Sequence, residues 1–273
     1  MFCFVWVLTY AQSFWIEPDK VYYTGKDSAL ISFFSGNGFS LNATEINQSS
    51  IKSILYCNGY EQKKLVFSDS IVAGFLMPLT SNATQKICVD VQFDDMMFSA
   101  EDFNKLLIDN GQLLDLQQRE TNNQMNANAV VKNLVSAQTI LQSRDRENEF
   151  CFQQASDKLQ IVPLVNPYNS QQLRVYQSGG TFVMDVGFTI LFNGEPLRKS
   201  KVNFWKRYAN GKCEQTILYT NKKGIVTLPV VSPGTFMLTC GLLKKENNFD
   251  ATSWVNYSST LTFLEKGNFF IKK

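Results

Sequence analysis

Two Asn-Gly steps, Asn58-Gly59 and Asn193-Gly194, each separate a pair of apolar runs of strand length, and they constrain this chain more than any other feature. Asn-Gly takes the positive φ values of a tight turn at little cost, so the first step reads as a hairpin and the second as a turn leading to the next strand. "SIKSILYC" and "EQKKLVFSD" flank the first step, "GGTFVMDVGFTILF" and "KSKVNFWKRY" the second. "DSALISFFSGNGF" and "IVAGFLMPLTSNATQKICVDVQF" supply further strands near the first hairpin. "QTILYT", "IVTLPVV", "TFMLTCGLL" and "SSTLTFL", separated by "NKKG" and "SPG" turns, follow the second. Short strands at this spacing predict a mainly β protein of two Ig-like or transthyretin-like antiparallel β-sandwich domains.

A chain of 273 residues is long enough for two such cores. The pattern places an N-terminal sandwich over 14–98, a partly helical linking segment over 99–155 and a C-terminal Ig-like sandwich over 156–273. In the link, Ser99 is a candidate N-cap with Asp102 three residues on. Phe103, Leu106 and Leu107 follow at helical spacing, and Gly111 is a stop. Leu113 to Asn128 is Gln/Asn-rich and reads as loop or loosely packed helix, while "AVVKNLVSAQTIL" fits helix or strand.

The N-terminus predicts export. Phe2 to Tyr10 is an uninterrupted apolar run of signal-peptide length, with a small-x-small step at Ala11-Gln12-Ser13, so residues 1–13 read as a signal peptide. The run is too short to span a bilayer, which takes roughly 20 residues, and no later segment is apolar enough to anchor the mature chain. The expected location is the periplasm, or outside the cell. A buried first strand is the alternative reading of the same residues. Cysteine usage fits an oxidising compartment: Cys3 leaves with the signal, and no CxxC pair suggests zinc or thioredoxin-type chemistry. The disulfide candidates lie within each domain, Cys57 with Cys88 and Cys213 with Cys240, leaving Cys151 free. Reduced, buried thiols remain the alternative.

The chain has no histidine. That excludes Ser-His-Asp and Cys-His catalysis and every imidazole-ligated metal site. A net charge of +2, from 26 basic and 24 acidic residues, gives no electrostatic footprint for nucleic acid. Asp90, Asp94 and Asp95 are close in sequence, but they lack the ligand ladder and central glycine of an EF-hand and read as a solvated strand end. Glu17 beside Trp15 could meet a ligand at a sandwich edge. Trp205 and Trp254 could stack on sugar rings or fill cores. Arg144 to Asn148, "RDREN", reads as an exposed charged turn, and the sequons at Asn42, Asn47, Asn82 and Asn256 matter only in a eukaryotic secretory route. No catalytic, cofactor-binding or metal residues can be singled out, and no cofactor is expected.

Three stretches together resemble one bacterial family. "FWIEPDKVYYTG", "VPLVNPYN" and the series "FNGEPLRKSKV", "TNKKGIVTLPVVSPGTFML" and "WVNYSSTLTF" are similar, in that order, to the periplasmic proteins catalogued as domain of unknown function 4198. That family includes NikM-like components associated with nickel uptake. The resemblance runs from Phe14 to about Phe263 and implies a non-enzymatic binding or accessory role at the cell envelope, with an envelope protein or transporter as partner. The family's histidine before the Phe-Trp pair is replaced here by Gln12, and a later one by the "GLL" after "TFMLTC". Its metal ligands therefore do not transfer to this chain. An adhesion or glycan- and protein-interaction module is the alternative expectation, and a carboxylate-dependent hydrolase the lesser one.

Overall fold

The computed structural model describes residues 13–20, 22–24, 27–39, 42–58, 61–66, 73–144, 152, 158–168, 174–178, 181–230, 234–246 and 252–265. The expected signal segment, Cys3, Cys151 and residues 145–148 of the charged turn lie outside these, apart from Ser13. The first strands are β1 (Ser13–Pro18), β2 (Tyr22–Tyr23), β3 (Ser28–Gly36), β4 (Asn42–Ala43), β5 (Ile51–Cys57), β6 (Gln62–Leu65), β7 (Gly74–Pro78) and β8 (Thr84–Phe98). Helices α1 (Ala100–Asp109) and α2 (Leu113–Thr121) follow. Next come β9 (Ala129–Ser143), β10 (Leu159–Pro163), β11 (Arg174–Ser178), β12 (Thr181–Phe192) and β13 (Glu195–Pro196). The chain then runs through β14 (Lys201–Arg207), β15 (Cys213–Tyr219), β16 (Ile225–Val230), β17 (Gly234–Lys245) and β18 (Ser253–Glu265).

The protein is mainly β, and its organising element is one long sheet. The strand order is β15-β14-β17-β18-β9-β8-β5-β6, with β2 beside the far end of β9. A smaller sheet of β1, β3, β4 and β7 covers one face, and a second, of β10, β11, β12, β13 and β16, covers the other. Side-chain alternation explains how one sheet serves both. Ile54, Tyr56, Ile87, Val89, Val135 and Ala137 enter the core under β1, β3 and β7. Val202, Phe204, Leu238, Cys240, Leu261 and Phe263 enter the core under β10, β12 and β16.

The segment expected as a link therefore contains more than helix. From Ala129 it is β9, the strand that joins the two halves, antiparallel to β8 and parallel to β18. This is where the arrangement departs from two separate antiparallel sandwiches: both share one sheet, through a parallel pair. Ser99 does cap α1, its Oγ accepting from the Asp102 amide at 3.1 Å and donating to the Asp102 carboxylate at 2.6 Å. Gly111, at φ +75°, closes the helix. α1 seats Phe103, Leu106 and Leu107 against Val131, Leu243 and Trp254. From α2, Arg119 is fully buried. Its guanidinium lies 4.7 Å from the Phe103 ring centroid and donates to Asn104 Oδ1 and the Ala127 carbonyl. No helix among the described residues is long and apolar enough to cross a membrane.

A charged clamp ties the first strand to the C-terminal half. Arg207 of β14 donates from Nη2 to Glu17 Oε2 at 2.7 Å and from Nη1 to Oε1 at 3.3 Å, and Trp15 Nε1 donates to Glu17 Oε1 at 2.7 Å. Thr260 and Thr262 of β18 donate their hydroxyls to the Phe14 and Ile16 carbonyls at 2.9 and 2.6 Å, so β1 lies across the shared sheet.

Candidate functional site

The sheet of β1, β3, β4 and β7 and the helix α1 occupy the same face of the long sheet. Between them lies a cleft of about 310 Å³. Phe14 of β1, Phe93, Met96 and Phe98 of β8, Leu106 of α1 and Val135 of β9 give it an apolar lining. Phe14 and Phe93 meet edge to face with centroids 5.7 Å apart. The polar lining is Asp94, Asn133, Asn256 and Ser258, with the hydroxyls of Ser13, Ser35 and Thr44. Ser35 and Thr44 hydrogen-bond to each other.

A β-bulge builds much of this lining. Phe93 of β8 opposes Asn133 of β9, yet Met96 opposes Val131, so three steps on one strand face two on the other. The extra residue in the Asp94-Asp95 step breaks the alternation, and bulges of this kind re-aim side chains next to sites. Asn133 and Asn256 are register partners, and Asn256 Nδ2 donates to Asn133 Oδ1 at 3.1 Å. Asn256 Oδ1 is buried and accepts no hydrogen bond among the described residues. A buried acceptor left without a donor costs about 1–3 kcal/mol.

The three aspartates do not converge. Asp90 accepts from Ser53 Oγ at 2.6 Å, while Asp94 lines the cleft and, like Asp95, is exposed. Among the described residues no group of three His, Cys, Asp or Glu could hold a metal ion. Trp15 is fully buried, and Glu17 is buried in the charged clamp rather than displayed at an edge. Trp254 is buried against Phe103, centroids 5.0 Å apart, and Trp205 is half-buried beneath Gly38, so neither offers an open stacking face. The residues that sequence reasoning missed are Phe93, Asn133, Asn256 and Ser258. The only local signal was the paired aspartate that interrupts "DVQFDDMMF".

The four disulfide candidates, Cys57, Cys88, Cys213 and Cys240, are free thiols in the structure. For Cys213 and Cys240 the register excludes a bridge. Cys213 opposes Arg207 and Cys240 opposes Val202, five residues apart on the intervening β14 and therefore on opposite faces. Five residues of strand span roughly 16 Å, far beyond disulfide reach. Cys57 opposes Lys86 and Cys88 opposes Leu55, so these two share a face as diagonal neighbours across β5 and β8. Burial pushes the thiols of Cys88 and Cys240 up to about 12 and also raises that of Cys57, which the nearby Lys86 charge partly offsets. Thiolate is the reactive form, so brief alkylation at pH 7.5 followed by peptide mapping should label Cys213 and spare Cys88 and Cys240. The raised values also set a pH trend. Above the unfolded thiol value the unfolded chain loses protons that the native chain keeps, so stability falls as pH rises from about 9 towards 12.

No functionally curated protein matches the chain. Among solved structures, a DUF4785 family protein from Legionella pneumophila aligns over 83% of this chain at 10% identity with a TM-score of 0.25. The match spans 51% of that protein. The family model for DUF4198, described as a domain of unknown function, matches residues 9–243, nearly the whole length, and this chain belongs to that family.

Proposed function

We propose that this DUF4198 protein is an exported, non-enzymatic binding or accessory protein of the cell envelope, and that the cleft beside α1 is its binding site. The observation that carries the reading is the make-up of the cleft: a mostly apolar concavity of about 310 Å³ with a few polar groups. Small-molecule sites share this character. The cleft also stands on a rigid base, because β9 and β18 are paired over ten residues beneath it and the charged clamp holds β1 in place. The resemblance to envelope proteins associated with metal uptake supports a transporter or other envelope protein as the partner that receives or presents the ligand. Without histidine the chain would serve such a system through a ligand other than an imidazole-held ion.

Two experiments test this. Protein recovered from the periplasm should begin at Gln12 or Phe14 by mass analysis, and intact Met1 there would defeat the export reading. In protein carrying a labelled Met96 methyl group, fragments that bind should shift that resonance. A Ser258→Trp variant, which fills the cleft, should lose the shifts while keeping the melting temperature within a few degrees. Binding that persists in the filled variant would place the site elsewhere.

A further inference from the structure

We infer that this protein self-associates through the open edge of its long sheet. Strand β15 of one copy pairs antiparallel with β15 of a second copy, about a two-fold axis at Thr216. β15 ends the sheet and pairs only with β14 among the described residues. Six of its seven residues are exposed, Ile217 at 50% and Tyr219 at 63%. Its outward backbone groups can be placed from its two ends. The Lys212 carbonyl accepts from the Tyr208 amide and the Thr220 amide donates to the Ser200 carbonyl, both at 2.9 Å, so these residues turn toward β14. Alternation then aims the N–H and C=O groups of Cys213, Gln215, Ile217 and Tyr219 away from it.

Native sheets blunt such edges with short strands and lysines. The other end of this sheet does so, since β6 has four residues and carries Lys63 and Lys64. β15 has seven residues and a single charge, Glu214, which its own copy already holds. Lys212 Nζ lies 2.8 Å and the Tyr208 hydroxyl 2.5 Å from that carboxylate. Thr216, Ile217, Leu218 and Tyr219 add β-favouring chemistry to an unguarded edge.

Self-complementarity commits this edge to a second copy. With the axis at Thr216, Gln215 opposes Ile217, Glu214 opposes Leu218 and Cys213 opposes Tyr219. Every outward-facing residue of β15 then finds a partner, and no like charges stand opposite, because Lys212 meets Thr220. Sliding the axis to Ile217 would set Lys212 against Lys222 and leave Cys213 beyond the partner strand. Thr216 faces itself as a close pair without backbone hydrogen bonds, and Thr–Thr pairs of this kind are favourable. Ile217 becomes the diagonal neighbour of Ile217 of the second copy. The contact is isologous, so it closes at two molecules.

Sedimentation equilibrium of the purified mature protein should show a monomer–dimer equilibrium with a Kd of about 100 µM or tighter. Thr216→Lys sets two ammonium groups face to face on the axis and should weaken the dimer at least tenfold, about 1.4 kcal/mol. The change is exposed, so the melting temperature of dilute protein should hold. In a Cys213→Ser background, Thr216→Cys should crosslink to its own copy on mild oxidation. Glu214→Cys should not, because across the axis the two 214 positions lie about 13 Å apart along the strands. A chain that stays monomeric at about 500 µM overturns the inference and leaves the edge to another protein's strand. A dimer that survives Thr216→Lys, or gives no crosslink through Thr216→Cys, overturns it as well, because association then runs through another surface.

Discussion

Arg207→Ala should lower the free energy of unfolding by about 3 kcal/mol, and the reason is what it leaves behind. Glu17 is 8% exposed and takes two of its hydrogen bonds from the Arg207 guanidinium. Without Arg207 the buried carboxylate keeps only the Trp15 indole N–H as a donor among the described residues. The guanidinium also lies 4.6 Å from the centroid of the Phe39 ring and donates to Thr235 at 3.3 Å, so its loss removes packing as well as charge. Thermal and denaturant unfolding should agree on a drop of this size. The double variant Glu17→Gln/Arg207→Met should be less destabilised than the sum of the single changes by about 1–2 kcal/mol, because removing both partners strands neither. Strict additivity would show that the clamp is incidental.

Gly38→Ala should cost about 2–4 kcal/mol, from two sources acting at one atom. Gly38 has φ +64°, where a Cβ crowds its own backbone. That Cβ would also stand 2.5 Å from Trp205 Cζ3 and 2.7 Å from Trp205 Cε3. The indole cannot retreat freely, because Trp205 sits on β14 between Gln215 and Met237 of the neighbouring strands. Gly211 is the comparison: it has φ +81° but no atom within 4 Å of its would-be Cβ. Gly211→Ala should therefore show the conformational cost alone, about 1 kcal/mol. Equal melting temperatures for the two variants would mean that contact with Trp205 contributes nothing.

Strands covered on one face and open on the other were legible in the sequence. In "KVNFWKR" the residues Val202, Phe204 and Lys206 are buried and those between are half-buried, so alternation marks β14 directly. The strand β9 was not legible for the opposite reason. From Val135 to Ser143 every residue is buried, because sheets press on both faces, and period-two contrast vanishes when neither face meets water. Gln138 and Gln142 look like surface residues in sequence, but they are fully or nearly fully buried and hydrogen-bonded, to Ser259 of β18 and to the Arg144 carbonyl just past β9. The cleft was hidden by distance along the chain. Its amide pair, Asn133 and Asn256, is 123 residues apart, and register alone brings them together. Arg119 illustrates the same limit: a charged residue in a Gln-rich helix reads as solvated, and only the Phe103 ring beneath it shows why it is buried.

The parallel pairing of β9 with β18 sets an order of events for a chain made from its N-terminus. β8 and β9 are close in sequence and can form a hairpin-like pair early, around the two helices. The other side of β9 must wait for Ser253 and beyond, more than 100 residues later. At translation rates of roughly 5–20 residues per second, that strand edge stays unmatched for about 5–20 s in any chain that begins to fold as it is made. Non-local parallel closure is slow even once all residues are present, because loop entropy is lost before the contact forms. An open, largely apolar edge held for that long invites pairing with a second nascent chain. A protein with this topology gains from being kept unfolded until it is complete, and delivery across a membrane as an extended polypeptide would achieve that.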